Sequence, residues 1–186
     1  MGRGALAGPL VAAAVVLPSG FHHPLLRDSK QLSARQRETI EPLIRQEALA
    51  VQVIAIEAAL IDSRGVGWAN RIAFERLIEE VAAPWYLADG NLALRTGRRY
   101  RSVVGGDRLV PAISAASIVA KVFRDRLMGD LHPHFPHYGW AGNKGYGTPH
   151  HLGAIASYGI CPHHRRSFIH RPQPGLFDQV AIAPSR

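Results

Sequence analysis

A chain of 186 residues, 47% hydrophobic and 19% charged, is long enough to bury a core and too apolar to be disordered. Its net charge of +8 points to a polyanionic partner, most often nucleic acid. The single cysteine, Cys161, excludes an intrachain disulfide and removes any argument for an oxidising compartment.

Residues 5–17 superficially copy a secretory signal, with Arg3 before an apolar run. Gly8-Pro9 interrupts that run, and it is too short to span a bilayer. The expectation is a cytoplasmic monomer with no membrane segment. Residues 10–17 (LVAAAVVL) read as a buried strand that Pro18-Ser19-Gly20 ends. Ser33, with Gln36 three residues on, forms a capping box that opens a helix with Ile40, Leu43 and Ile44 as its apolar stripe. Residues 51–56 form a second strand. Gly65-Val66-Gly67 breaks the chain before a helix carrying Phe74, Leu77, Ile78 and Val81 at i, i+3, i+4, i+7, and Pro84 stops it.

Residues 85–90 predict a strand ending on Asp89, and residues 102–104 a short strand after an Arg-rich segment. From Asn91 to Arg126, Arg95, Arg98, Arg99, Arg101, Arg108, Lys121, Arg124 and Arg126 face only Asp107 and Asp125, a local excess of +6. Phosphate neutralisation and simple solubility both account for such a segment. Residues 112–128 form a helix with Ile118, Val119, Val122 and Phe123 on one stripe and small residues (Ala115, Ala116, Ala120) able to pack closely. Lys121 and Asp125 lie four apart: a solvated ion pair, or one ammonium and one carboxylate offered to an anionic substrate. A Pro/His-rich stretch follows, and its histidines (132–137) read as exposed loop residues without an assigned role. Thr148 as N-cap and Pro149 at the first helical position open a short helix that Gly159 closes.

Asp89 sits where an α/β sheet places ligands, although Asp-Gly is also a plain turn dipeptide. Lys144-Gly-Tyr-Gly147 is either an ordinary glycine-rich loop or an aromatic platform beside phosphate-binding amides. Cys161, His163 and His164 match structural zinc spacing poorly.

Taken in order, several motifs resemble bacterial ribonuclease HII. They are Gly2-Arg-Gly4 with Leu6-Ala-Gly-Pro9, Asp28-Ser-Lys30, Ala88-Asp-Gly90, Gly106-Asp107, Ala115–Lys121, Arg124–Met128, Lys144–Thr148 with His151, and His164–Phe168. They span residues 2–168. The resemblance implies an α/β, RNase H-like mixed sheet flanked by helices. It implies one domain over 1–186, with a helical and loop extension at about 130–170 and a loose tail over 172–186. It implies an endoribonuclease that hydrolyses RNA in RNA–DNA hybrids and incises 5′ to ribonucleotides embedded in duplex DNA, with Mn²⁺ or Mg²⁺ held by four carboxylates. Asp89 and Asp125 match two of these. Gly2, Arg3 and Gly4 match the turn that reads the ribose 2′-OH, and Tyr146 matches the tyrosine that stacks beside the following sugar. Lys30, Lys121, Arg165 and Arg166 match positions expected to face phosphate.

The chain departs from the pattern at its start, where the family has a strand ending Asp-Glu-Ala (or Val)-Gly-Arg-Gly and this sequence has Met1-Gly-Arg-Gly. The first, central strand and two carboxylates are therefore expected to be absent. One reading is a misassigned start, with an in-frame Asp-Glu upstream. The other is a truncated, catalytically inactive hybrid-binding protein. Either way, residues 1–186 alone are expected to cleave poorly.

Overall fold

The computed structural model describes residues 1–27 and 32–169; Lys30 and the tail from residue 172 lie outside the described residues. Strand β1 (Leu10–Val16) pairs antiparallel with β2 (Ala50–Ile56), from Leu10 opposite Ile56 to Val16 opposite Ala50. Helix α1 (Ala34–Glu47) lies between them in sequence. Its capping box is formed on both sides: Gln36 N–H donates to Ser33 Oγ at 3.2 Å and Ser33 N–H to Gln36 Oε1 at 2.9 Å. That satisfies two amides a helix start otherwise leaves unpaired. Ile40 and Ile44 bury against Ile118, Val119 and Val122, whereas Leu43 stays exposed.

The break at 65–67 turns out to be a junction between two helices, α2 (Ala58–Arg64) and α3 (Val66–Glu80). Gly65 at φ +83° ends one and begins the other, a conformation that favours glycine. Helix α2 is too short to show a helical period, which is why the sequence hides it. Ala69, Ala73 and Leu77 of α3 close over Leu10, Ile54 and Ile56 of the β1–β2 pair.

Strand β3 (Tyr86–Asp89) pairs in parallel with β4 (Tyr100–Val103). The short α4 (Gly106–Leu109) leads into α5 (Pro111–Leu131), whose Ala115 and Ala120 are buried, as the small-residue side requires. Helices α6 (Trp140–Asn143), α7 (Pro149–Tyr158) and α8 (Arg166–Ile169) complete the described chain. The His-rich stretch is not simply exposed. Phe135 packs on Trp140, and His137 lies 4.1 Å from the ring of Tyr138 and 4.5 Å from that of Tyr158.

The α/β class holds, with both antiparallel and parallel pairings, but among the described residues the strands form two separate two-stranded sheets. An apolar groove of about 370 Å³ runs between them, walled by β1, β3, Phe74 and Leu77 of α3, and Ile113 and Ala116 of α5. Among the described residues no strand crosses it to join the two halves. On the groove side of β1, Met1 bonds to Val11: its amine donates to Val11 O, and Val11 N–H returns a bond to Met1 O at 3.1 Å. No helix of the described residues is long and apolar enough to cross a membrane.

Candidate active site

Two buried arginines organise the N-terminal turn. The Arg124 guanidinium, on α5, donates to Pro9 O (3.0 Å), Ala7 O (3.0 Å) and Lys144 O (2.8 Å). Arg165 donates to Gly8 O (3.0 and 2.8 Å) and Arg3 O (3.2 Å). Carbonyls that lead nowhere in a regular ladder are thus satisfied by charged donors, which make stronger bonds than neutral ones. Gly2 sits at φ +75°, and a Cβ there would fall 2.2 Å from Arg124 Nε. Only glycine fits. Gly145, at φ +81°, has its absent Cβ 2.5 Å from Ala7 O. Leu6 and Ala7 N–H both donate to Gly145 O, stitching the two turns together.

This placement corrects one expectation. Arg165 is fully buried and spends its donors on backbone, so it does not face phosphate. Burial, and then the nearby charge of Arg124, bring its pKa down to about 10, which leaves it charged at neutral pH. Arg166 is exposed, and its backbone N–H donates to Asp62. The basic segment is likewise less basic at the surface than in sequence. Arg124 turns inward, Arg126 pairs with the buried Glu41 at 3.1 Å, and Lys121 pairs with Asp125. Arg95, Arg98, Arg99, Arg101 and Arg108 remain exposed.

Asp89 ends β3, and its Oδ1 accepts Gly106 N–H at 2.9 Å, an anion bonded to the amide at the start of α4. Asp125 lies on α5 next to Arg124, with both carboxylate oxygens on Lys121 Nζ at 3.0 and 3.1 Å. The pair is partly buried rather than solvated, the side chains 25% and 15% exposed. Met1 and Asp89 line the same groove beside Ala120 of α5. Burial, then the charges of Arg124, Arg3, Lys121 and Arg165, hold the Met1 ammonium down at about 5. Asp89 and Asp125 carry hard carboxylate oxygens of the kind divalent cations such as Mg²⁺ or Mn²⁺ would take. They fall short of a full set: among the described residues no group of three or more His, Cys, Asp or Glu is placed to hold a metal.

Tyr146 rests its ring under Arg124, 5.3 Å from the guanidinium carbon, so one arginine touches both the Gly2 turn and the aromatic platform. Lys144 takes φ +52° and Gly145 φ +81° to make the turn. The Tyr146 carbonyl accepts from Thr148 N–H (2.8 Å) and from His151 Nδ1 (2.9 Å). Thr148 Oγ1 in turn accepts His151 N–H at 3.3 Å, the N-cap the sequence predicts. Sequence reasoning missed the buried Arg124 and the fully buried His151 as parts of the site. The only local signal was the cap that places His151 three residues after Thr148.

Comparison with known proteins places these features. Residues 1–173 match the family model described as Ribonuclease HII. The Ribonuclease HII of Burkholderia pseudomallei (strain 668) is 48% identical over 181 residues, covering 96% of this chain and 84% of that protein. That of Burkholderia thailandensis matches to the same extent. Among solved structures, the PCNA:RNase HII complex from Archaeoglobus fulgidus aligns at TM-score 0.77 and 25% identity, over 91% of this chain and 90% of that one. Ribonuclease H2 from Pyrococcus horikoshii OT3 shares the fold at TM-score 0.75 and 23% identity, over 90% of each chain. The two clamped turns, the strand-end aspartate and the helix carboxylate thus sit in a chain that belongs to the ribonuclease HII family.

Proposed function

We propose that this ribonuclease H is an endonuclease acting on the RNA strand of RNA–DNA hybrids and 5′ to single ribonucleotides in duplex DNA, leaving 3′-OH and 5′-phosphate ends. The observation that carries the reading is the contact of Arg124 with both the Gly2 turn and the Tyr146 ring, beside Asp125. In this reading the backbone of Gly2, Arg3 and Gly4 takes the ribose 2′-OH, the group that separates RNA from DNA. Tyr146 stacks on the neighbouring sugar. Lys121 and exposed arginines, Arg166 among them, meet phosphate, and salt weakens binding accordingly. Asp89 and Asp125 would hold Mn²⁺ or Mg²⁺, which when bound supplies an activated water and a stabilised leaving 3′ oxygen. Lys121 must give up Asp125 for that to happen, and phosphate is its natural alternative partner.

A second reading, a hybrid-binding protein without catalysis, is favoured by the two-carboxylate donor set and by the Lys121–Asp125 pair. One assay separates them. Residues 1–186 are incubated with Mn²⁺ and a DNA duplex carrying one ribonucleotide, and the ends are mapped. Weak incision 5′ to the ribonucleotide, lost in Asp89→Asn and Asp125→Asn and absent on all-DNA duplex, supports the endonuclease. Hybrid binding with no incision at any metal concentration supports the second reading. Cleavage that ignores both substitutions sinks the assignment of the site.

A further inference from the structure

Behind the Tyr146 turn lies a buried chain of hydrogen bonds to which no role has been given. His151 is fully buried, His164 is 2% exposed, and Trp140 is fully buried. Their ring nitrogens meet: His151 Nε2 is 3.1 Å from Trp140 Nε1 and 3.1 Å from His164 Nε2. Two partners at the ends fix the protons. Tyr146 O can only accept, so the nitrogen facing it, His151 Nδ1, carries a hydrogen. The backbone N–H of Cys161 can only donate, at 3.0 Å, so His164 Nδ1 is bare. With both rings neutral, His151 Nε2 is a lone pair and His164 Nε2 an N–H, and the chain runs one way. Cys161 N–H donates to His164, His164 donates to His151, and His151 donates to Tyr146 O. Trp140 donates into the same lone pair.

The arrangement has no place for a further proton, because His151 Nε2 already faces two donors. Burial first, and then His151, hold His164 down at about 4; burial likewise lowers His151. One end of the chain grips the Tyr146 peptide. The other is tied to the N-terminal segment, since His164 bridges Ala7, Arg165 N–H donates to Leu6 O, and the Arg165 guanidinium holds Gly8 and Arg3. The relay therefore links the two turns, as Arg124 does through Ala7 O, Lys144 O and the Tyr146 ring.

The geometry points to His151, oriented by His164 and Trp140, as a positioning residue that fixes Tyr146 against the Gly2–Gly4 turn and so sets the preference for ribose over deoxyribose. This rests on the reading of Tyr146 and that turn as the sugar-sensing elements. His151 touches no substrate in this account; it acts through the Tyr146 carbonyl.

The test compares binding of residues 1–186 to an RNA–DNA hybrid and to a DNA duplex of the same sequence, by fluorescence anisotropy in EDTA so that nothing is cut. His151→Phe keeps an aromatic ring and loses all three ring hydrogen bonds. It is expected to reduce the hybrid-over-DNA preference about tenfold while DNA affinity, set by surface charge, holds. His151→Asn keeps a donor near the Nδ1 position and is expected to restore most of that preference. Equal loss on both duplexes, or no loss in a variant that melts with the parent, overturns the proposal. Tyr146→Ala is the control. If it leaves the preference intact, or if the parent shows none, the sugar-sensing reading fails and the proposal falls with it. If Tyr146→Ala lowers the preference and His151→Phe does not, only the positioning role fails. Should His151→Phe not fold, nitrogen NMR of the unaltered chain decides. Nδ1–H at His151 and Nε2–H at His164 are expected, and the opposite tautomers would break the relay.

Discussion

Arg165 shows how far a residue's type can mislead about its work. In sequence it sits in a basic cluster and invites a phosphate. In the fold its guanidinium is enclosed, and three donor contacts go to the carbonyls of Gly8 and Arg3. Removing a buried charged donor strands those carbonyls and leaves a cavity, so Arg165→Met is expected to cost about 3–5 kcal/mol in a urea denaturation series. The log–log salt slope for hybrid binding, read on the folded fraction, is expected to stay where it was. A phosphate contact would behave in the opposite way: little change in stability and a slope shallower by about one unit. That pattern in Arg165→Met would restore the surface role. The partners of Arg165 and Arg124 explain why the sequence conceals this burial. The carbonyls they bond lie 115 to 162 positions away along the chain, except for that of Lys144, 20 positions from Arg124, and no local period reports them.

Elements were legible where a local rule sets them. The capping box of α1, the Thr148-Pro149 start of α7 and the apolar run of β1 each lie within a few residues of where the patterns put them. The short α2 was not, because seven residues carry no period. Asp89 and Asp125 were legible as candidates, and their spacing already offered the Lys121–Asp125 ion pair, but not its partial burial, nor that Tyr146 is reached by Arg124. Helix α5 makes the difference between pattern and packing concrete. Ala115 and Ala116 are adjacent and identical, yet Ala115 is fully buried among Leu26, Ile40 and Ile44 while Ala116 lines the groove. Ala115→Leu must force side chains apart in a filled core and is expected to lower stability by about 1–3 kcal/mol. Ala116→Leu meets open space and is expected to shift it by no more than about 0.5 kcal/mol. Equal penalties in thermal melts would mean that the groove is closed in solution.

At the scale of the molecule, that groove divides the sheet into unequal halves. The β1–β2 half carries seven paired positions and is backed by α3 on one side and α5 and α1 on the other. The β3–β4 half has four paired positions and a small core of Ile78, Ala88 and Leu94. No strand hydrogen-bonds one half to the other among the described residues, whereas α3 packs on both, its Phe74 lying against the two clusters. Local opening follows the weakest cooperative boundary. The β3–β4 pair is therefore expected to open without the rest. In native-state hydrogen exchange with added denaturant, amides of its ladder should exchange by an opening of lower free energy and smaller denaturant dependence than those of Ala12 and Ile54. Ladder amides of both halves that merge on a single isotherm would show that the halves unfold together. The consequence reaches the site, because Asp89 stands at the end of the weaker half and Asp125 on the helix that backs the stronger one. In the proposed metal role, their approach to a shared ion would be governed by how firmly β3 docks. Any contact that bridges β1 and β3 should raise the protection of β3 and the affinity for Mn²⁺ together.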